Sequence, residues 1–303
     1  KKQETAFLSG IIIIGGHMKY VNDFLKYLQY EKHFSNYTVS NYQIDLEEFK
    51  TFINTEDPND IKLESIRKYL KFLVDNKYSN RSISRKVSSL KSYFKYLDSE
   101  KLIKDNPAAL ISNPKIEKSL PNYLNYEDTD KLLNIPDLTS KDGKRDVLIL
   151  EMLYSSGVRV SELTNIKLKD IDFQDKKIII LGKGNKQRYV YFGTKCEELL
   201  NLYLKDHEGE YLLTNKHHQK LNERTVRKIV DDCAHKAHLT VHVTPHTLRH
   251  TYATHMLNEG ADLKSVSDLL GHENLSTTQI YTHVSNERLR NVYLNAHPRA
   301  HKR

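Results

Sequence analysis

Between Tyr20 and Leu110 the apolar positions recur at helical spacing, as in Val21, Phe24, Leu25 and Leu28 and again in Leu63, Ile66, Leu70 and Leu73. Each stripe buries one helix face, so the first third predicts an all-helical bundle of about four helices. Asp57-Pro58-Asn59-Asp60 and Tyr78-Ser79-Asn80 interrupt the pattern and mark turns. The helix predicted over Arg81 to Leu97 is the most regular: Ile83, Val87, Leu90, Phe94 and Leu97 form its stripe, while Arg81, Arg85, Ser88, Ser92 and Lys95 fall on the opposite face. The pattern stops between Ile111 and Pro121, where Pro114, Lys115, Lys118 and Pro121 suit an extended linker. From Tyr123 the reading is mixed. An apolar helix from about Lys144 to Ser155 precedes an isoleucine-rich strand, Lys177 to Leu181, the turn Gly182-Lys183-Gly184-Asn185-Lys186 and a second strand, Arg188 to Phe192. The pair predicts a β-hairpin with a basic tip. Helices resume near Lys195 and run, with short breaks, almost to the end.

These patterns predict a mainly α protein: a helical N-terminal domain, then a mostly helical domain with a small antiparallel β-sheet. The expected boundaries are 1–17, an extension; 18–112, the helical domain; 113–121, the linker; and 122–303, the second domain. At 303 residues the chain exceeds what one core usually organises. The first 17 residues end in Gly15-Gly16-His17 before Met18, which reads as a non-native extension left by expression.

Charge changes the picture most. A formal net charge of +8 favours a polyanionic partner over an acidic small molecule. The cationic and hydroxyl face of Arg81, Arg85, Ser88, Ser92 and Lys95 is then a candidate for contact with phosphates, against the alternative of an ordinary solvated face. The 2 cysteines, Cys196 and Cys233, lack the close spacing of a metal knuckle or a redox pair, which suits a reducing cytoplasm. Ile11 to Ile14 is far short of the roughly 20 residues a membrane-spanning helix needs, so no membrane span is expected.

Five short segments stand out in the second domain: Ser156-Gly157-Val158-Arg159-Val160-Ser161-Glu162-Leu163, Gly182-Lys183-Gly184-Asn185-Lys186, His246-Thr247-Leu248-Arg249-His250, Leu270-Gly271-His272 and Tyr281-Thr282-His283. Each is weak alone. In this order they resemble the catalytic set of the tyrosine recombinase family, the lambda-integrase-like site-specific recombinases. The ending Ala296-His297-Pro298-Arg299-Ala300 resembles that of bacterial Xer recombinases.

The resemblance implies a catalytic set of Arg159, Lys183, His246, Arg249, His272 and Tyr281, with Glu162 in support. The chemistry suits these residue types. A phosphodiester gains charge in its five-coordinate transition state, and two arginines can present planar forks that stay charged at any physiological pH. One arginine alone would be a surface ion pair by default; its companions change that reading. Tyr281, nine residues beyond His272, is the implied nucleophile among 19 tyrosines. Tyr252 competes with it, but its helix and apolar neighbours suit packing. His246 is implied to assist proton transfer at the phenol, and His272 to hydrogen-bond the phosphate. Lys183 is implied to protonate the leaving 5′-oxygen. Lys186, three residues on, rivals it and is otherwise a DNA contact. Glu162, a helical turn beyond Arg159, would orient that guanidinium or a histidine. His242, His246 and His250 recur every four residues, but Thr247 stands where a zinc protease needs glutamate and Arg249 would repel a dication. No metal and no other cofactor is expected.

The resemblance further implies a SAM-like N-terminal bundle that clamps duplex DNA and transesterification through a 3′-phosphotyrosyl intermediate without metal or ATP. The expected assembly is a homo- or hetero-tetramer on a synapsed double-stranded recombination site, with the Glu287 to Ala296 segment docked on a neighbour or packed locally. The implied role is chromosome dimer resolution in cell division, with a septal DNA translocase as regulator and a cytoplasmic, nucleoid-associated location. Three other readings share the features: an integrase or transposase of a mobile element, a sequence-specific DNA-binding protein without catalysis, and a nicking-closing topoisomerase.

Overall fold

The structure is a computed structural model, and its described residues are 18–115, 122–182, 187–271 and 283–301. The expected extension 1–17, linker positions 116–121 and hairpin tip 183–186 lie outside them. The chain separates into two compact units, Lys1–Ser119 and Leu120–Arg303.

The N-terminal unit is all helical. Helix α1 (Val21–Lys26) runs into a π-turn at Tyr27–Glu31 and is followed by α2 (Asn36–Ile53), α3 (Leu63–Asp75) and α4 (Asn80–Ser99). Hydroxyl caps set two of the starts: Ser35 accepts from the Thr38 N–H and Ser79 from the Ser82 N–H, each at 3.2 Å. All five residues of the predicted α4 stripe are buried in a core that includes Phe24, Phe49, Tyr69 and Tyr93.

The polar side of α4 differs from expectation. Asp45 of α2 is buried and receives Lys86 Nζ at 3.2 Å, Ser89 Oγ at 2.8 Å and Arg85 Nη1 at 2.5 Å. Lys86 also reaches Glu48 at 2.6 Å. Arg85, read from the sequence as one of a row of outward cations, is therefore tied into an inter-helix ionic knot. Ser88 turns back on its own helix, donating to the Ser84 carbonyl at 2.9 Å. Arg81 and Lys95 are exposed, and Ser92 is half-buried.

The second unit is built around α6 (Lys141–Ser156), whose residues from Val147 to Ser156 are all buried. It is preceded by α5 (Tyr126–Leu133) and followed by the short α7 (Val160–Leu163), then by an antiparallel sheet of β1 (Ile171–Asp172), β2 (Lys177–Leu181) and β3 (Gln187–Tyr191). The register of the hairpin pairs Ile178 with Val190 and Ile180 with Arg188. Helices α8 (Thr194–Leu204), α9 (Glu223–Lys236), α10 (Pro245–Asn258), α11 (Leu263–Leu270) and α12 (His283–Ala296) complete the unit. Thr244 caps α10, and Pro245 occupies its first turn, where a missing N–H costs nothing. Leu289, Tyr293 and Ala296 of α12 pack with Tyr191, Tyr252, Met256 and Leu269 of the same chain. The tail then passes so close to Gly193 that any side chain there would overlap the Arg299 carbonyl. No helix among the described residues is long and apolar enough to cross a membrane.

Candidate active site

Three of the sequence-predicted residues, Arg159, Glu162 and Arg249, meet at one place, and a helix end organises them. Helix α6 closes on Gly157, whose φ of 61° is left-handed and open to glycine. A Cβ there would stand 2.8 Å from the Tyr252 ring and 2.9 Å from Leu270. This turn sets Arg159 just before α7, and the Glu162 carboxylate reaches back to accept the Arg159 backbone N–H at 2.7 Å.

At the end of α11 three consecutive carbonyls each meet a different guanidinium. Arg249 Nη2 donates to the Leu270 carbonyl at 2.6 Å, and Arg159 Nη2 to that of Gly271 at 3.2 Å. Arg188 Nε makes a long contact of 3.5 Å to that of Leu269. Arg249 also donates through Nη1 to the Gly157 carbonyl. Arginines 90 residues apart in sequence thus share one anchor, the turn at which α11 hands the chain to Gly271 in a left-handed conformation.

The electrostatics follow from this crowding. Arg249 is only 7% exposed; burial first, then the neighbouring Arg159 and Arg188, bring its pKa down to about 10, so it remains a cation at neutral pH. Burial works to raise the Glu162 pKa, but the Arg188 and Arg159 hydrogen bonds outweigh it and hold the carboxyl at about 2. His246, one turn before Arg249 on α10, lies at the exposed rim. Partial burial of its ring and then the nearby Arg249, Arg227 and Arg159 lower its pKa. A titration of the His246 ring by NMR in the DNA-free protein is accordingly expected to centre below pH 6.5, with the ring neutral and able to take a proton at pH 7. A midpoint at or above 6.5 would place the ring away from the guanidiniums.

Tyr252, the rival nucleophile, is 1% exposed under the Gly157 turn, and burial raises its phenol pKa well beyond the usual range. Lys183, Lys186, His272 and Tyr281 lie outside the described residues. Sequence reasoning missed Arg188. Its signal was available: Arg188 shares the inward face of β3 with the buried Val190, and a charge on that face calls for a buried counterion.

The phage integrase family model matches residues 122–288, and the N-terminal SAM-like domain of phage integrases matches residues 21–101. The tyrosine recombinase XerC of Oceanobacillus iheyensis is 44% identical over 294 residues, covering 93% of this chain and 96% of the relative. That of Bacillus subtilis is 42% identical over 297 residues, covering 94% and 98%. The chain belongs to the phage integrase family. Within it the chain is a Xer-type site-specific tyrosine recombinase, an enzyme that cleaves and rejoins DNA. Among solved structures, a lambda integrase (75–356) dimer bound to a COC′ core site aligns with a TM-score of 0.70 at 19% identity over 86% of this chain and 97% of that one. The XerH recombinase bound to palindromic difH substrate aligns with a TM-score of 0.69 at 23% identity over 90% and 84%. At such identities these likenesses show the fold alone, mainly helical with a small antiparallel sheet.

Proposed function

We propose that this recombinase exchanges strands through a covalent bond between Tyr281 and a 3′-phosphate. The phenol oxygen of Tyr281 attacks the scissile phosphorus, the bond to the 5′-oxygen breaks, and that oxygen leaves with a proton from Lys183. A free 5′-hydroxyl of the partner duplex then reverses the step. One ester replaces another, so the reaction draws on neither ATP nor a metal ion. Arg159 and Arg249 hold the non-bridging oxygens, His272 adds a hydrogen bond, and neutral His246 takes up the phenol proton.

The observation that supports this reading is the convergence of Arg159 and Arg249 on adjacent carbonyls, with His246 inside the same field. The N-terminal unit, residues 18–112, would close on the duplex through α4, with Arg81, Ser92 and Lys95 facing the backbone, Arg85 and Ser88 beside them engaged by Asp45 and Ser84, and Lys186 adding a contact from the hairpin. Affinity should then fall steeply with salt. A tetramer on two synapsed sites, chromosome dimer resolution on the nucleoid in the cytoplasm, and control by a septal DNA translocase follow from the Xer relationship as parts of the same proposal.

The test is a nicked suicide duplex whose site has been selected from a randomised pool by binding to the protein. A denaturant-stable protein–DNA adduct is expected, and its nucleotide-bearing peptide should map to Tyr281. Mapping to Tyr252 would move the nucleophile, and no adduct on any selected site would leave a DNA-binding protein without strand chemistry.

A further inference from the structure

We propose that Arg188 is a positioning residue for strand cleavage: by occupying the Glu162 carboxylate, it leaves the charge of Arg159 available to the scissile phosphate. The inference rests on the reading of Arg159 as a phosphate ligand.

The geometry around Glu162 is complete. Oε1 accepts Arg188 Nη1 at 2.7 Å and Arg159 Nη1 at 2.9 Å; Oε2 accepts Arg188 Nη2 at 2.9 Å and the Arg159 backbone N–H at 2.7 Å. A carboxylate offers about four lone-pair sites, and all are filled. The two-pronged partner is Arg188, the arrangement that binds carboxylates most strongly. The Arg188 side chain is 10% exposed and that of Glu162 6%, while that of Arg159 is 38% exposed. Arg159 is thus the member of the trio that an incoming anion can reach.

Without Arg188, Glu162 would face Arg159 alone. The two would form a nearly neutral pair, and a phosphate would compete with a fixed carboxylate for the same guanidinium. With Arg188 in place, Arg159 spends one contact on Glu162 and one on Gly271, both of which fix its plane, and its remaining N–H groups stay free for phosphate oxygens. Arg188 also sits on β3 opposite Ile180. The same guanidinium therefore anchors the second leg of the hairpin, through Glu162, to the short helix that begins directly after Arg159. A purely structural ion pair would do the anchoring; compensation of Glu162 is the part that bears on rate.

The two roles separate in a single-turnover assay on the nicked suicide duplex at saturating protein, with melting followed by circular dichroism. Arg188→Gln is expected to slow adduct formation on the order of 100-fold, in the range found when one transition-state donor is lost. The double variant Arg188→Gln with Glu162→Gln is expected to recover about tenfold of that loss, because the uncompensated carboxylate is gone. Arg188→Lys, which keeps the charge without the fork, should stay within about tenfold of the parent enzyme. A double variant no faster than Arg188→Gln, or Arg188→Lys as slow as Arg188→Gln in a folded protein, would overturn charge compensation. Should Arg188→Gln not fold, the Arg188→Lys rate alone decides. Failure of the underlying reading looks different: the unsubstituted protein would then form no adduct, or Arg159→Gln would form it at the parent rate.

Discussion

Arg249→Ala is expected to lower the rate of covalent adduct formation by about 1,000-fold or more while moving the melting temperature by only a few degrees. The two halves of that result have different origins. The rate falls because a fixed cation is removed from the place where phosphate charge grows. Stability is nearly balanced. Removing the guanidinium strands the Gly157 and Leu270 carbonyls, at about 1–3 kcal/mol each. Against that, the fall of the Arg249 pKa from 12.5 to about 10 marks the strain of holding a buried charge beside two others, worth about 3 kcal/mol. Arg249→Lys should be nearly as slow, because an ammonium cannot bridge two carbonyls and still present a fork. Quench-flow kinetics beside thermal melting would check both halves. Adduct formation within tenfold of the parent rate would remove Arg249 from the phosphate site.

Gly193→Ala is expected to destabilise the second unit by about 3 kcal/mol, lowering its melting temperature by roughly 10 °C. The backbone angle at Gly193 is ordinary, with φ at −89°, so the cost is spatial. A Cβ would overlap the Arg299 carbonyl oxygen, 2.7 Å from its carbon and 2.8 Å from the Ala300 Cα. Backbone cannot rotate aside as a flexible side chain can, so the tail must lift. With it would go the Arg299 contact to the buried Glu151, 3.9 Å away, and the packing of His297 against Tyr252 and Tyr293. Limited proteolysis should then trim the variant after Ala296 at concentrations that spare the parent. Unchanged melting and unchanged trimming would show that the tail has another place to go.

Much of the fold could be read because its signals are local. The α4 stripe and the β2–β3 hairpin carry their own periodicity, and the observed hairpin strands differ from the expected ones by one residue at each end of the second. What escaped reading depends on partners distant along the chain. Lys86 lies within the apolar stripe of α4, three residues after Ile83 and four before Leu90, yet it is buried because Asp45 waits 41 residues earlier. Arg85 looked like a free cation for the same reason. Strand β1, two residues long, is too short to show any alternation. At the site, Arg159, Glu162 and Arg249 were legible through the family resemblance. For Arg188 only a charge on the inward face of β3 could be read; its counterion, 26 residues away on a helix, could not.

The end of α11 has one more consequence. A helix C-terminus carries partial negative charge, and by itself it would push a nucleic acid away from whatever follows it. Here the terminal carbonyls point at guanidiniums, and among the described residues the hydrogen bonds of the Arg249 guanidinium go to two uncharged oxygens. A carbonyl fixes a cation without cancelling it. Three guanidiniums against the single Glu162 carboxylate leave this corner net positive, so the end of α11 becomes a place that draws polyanions inward.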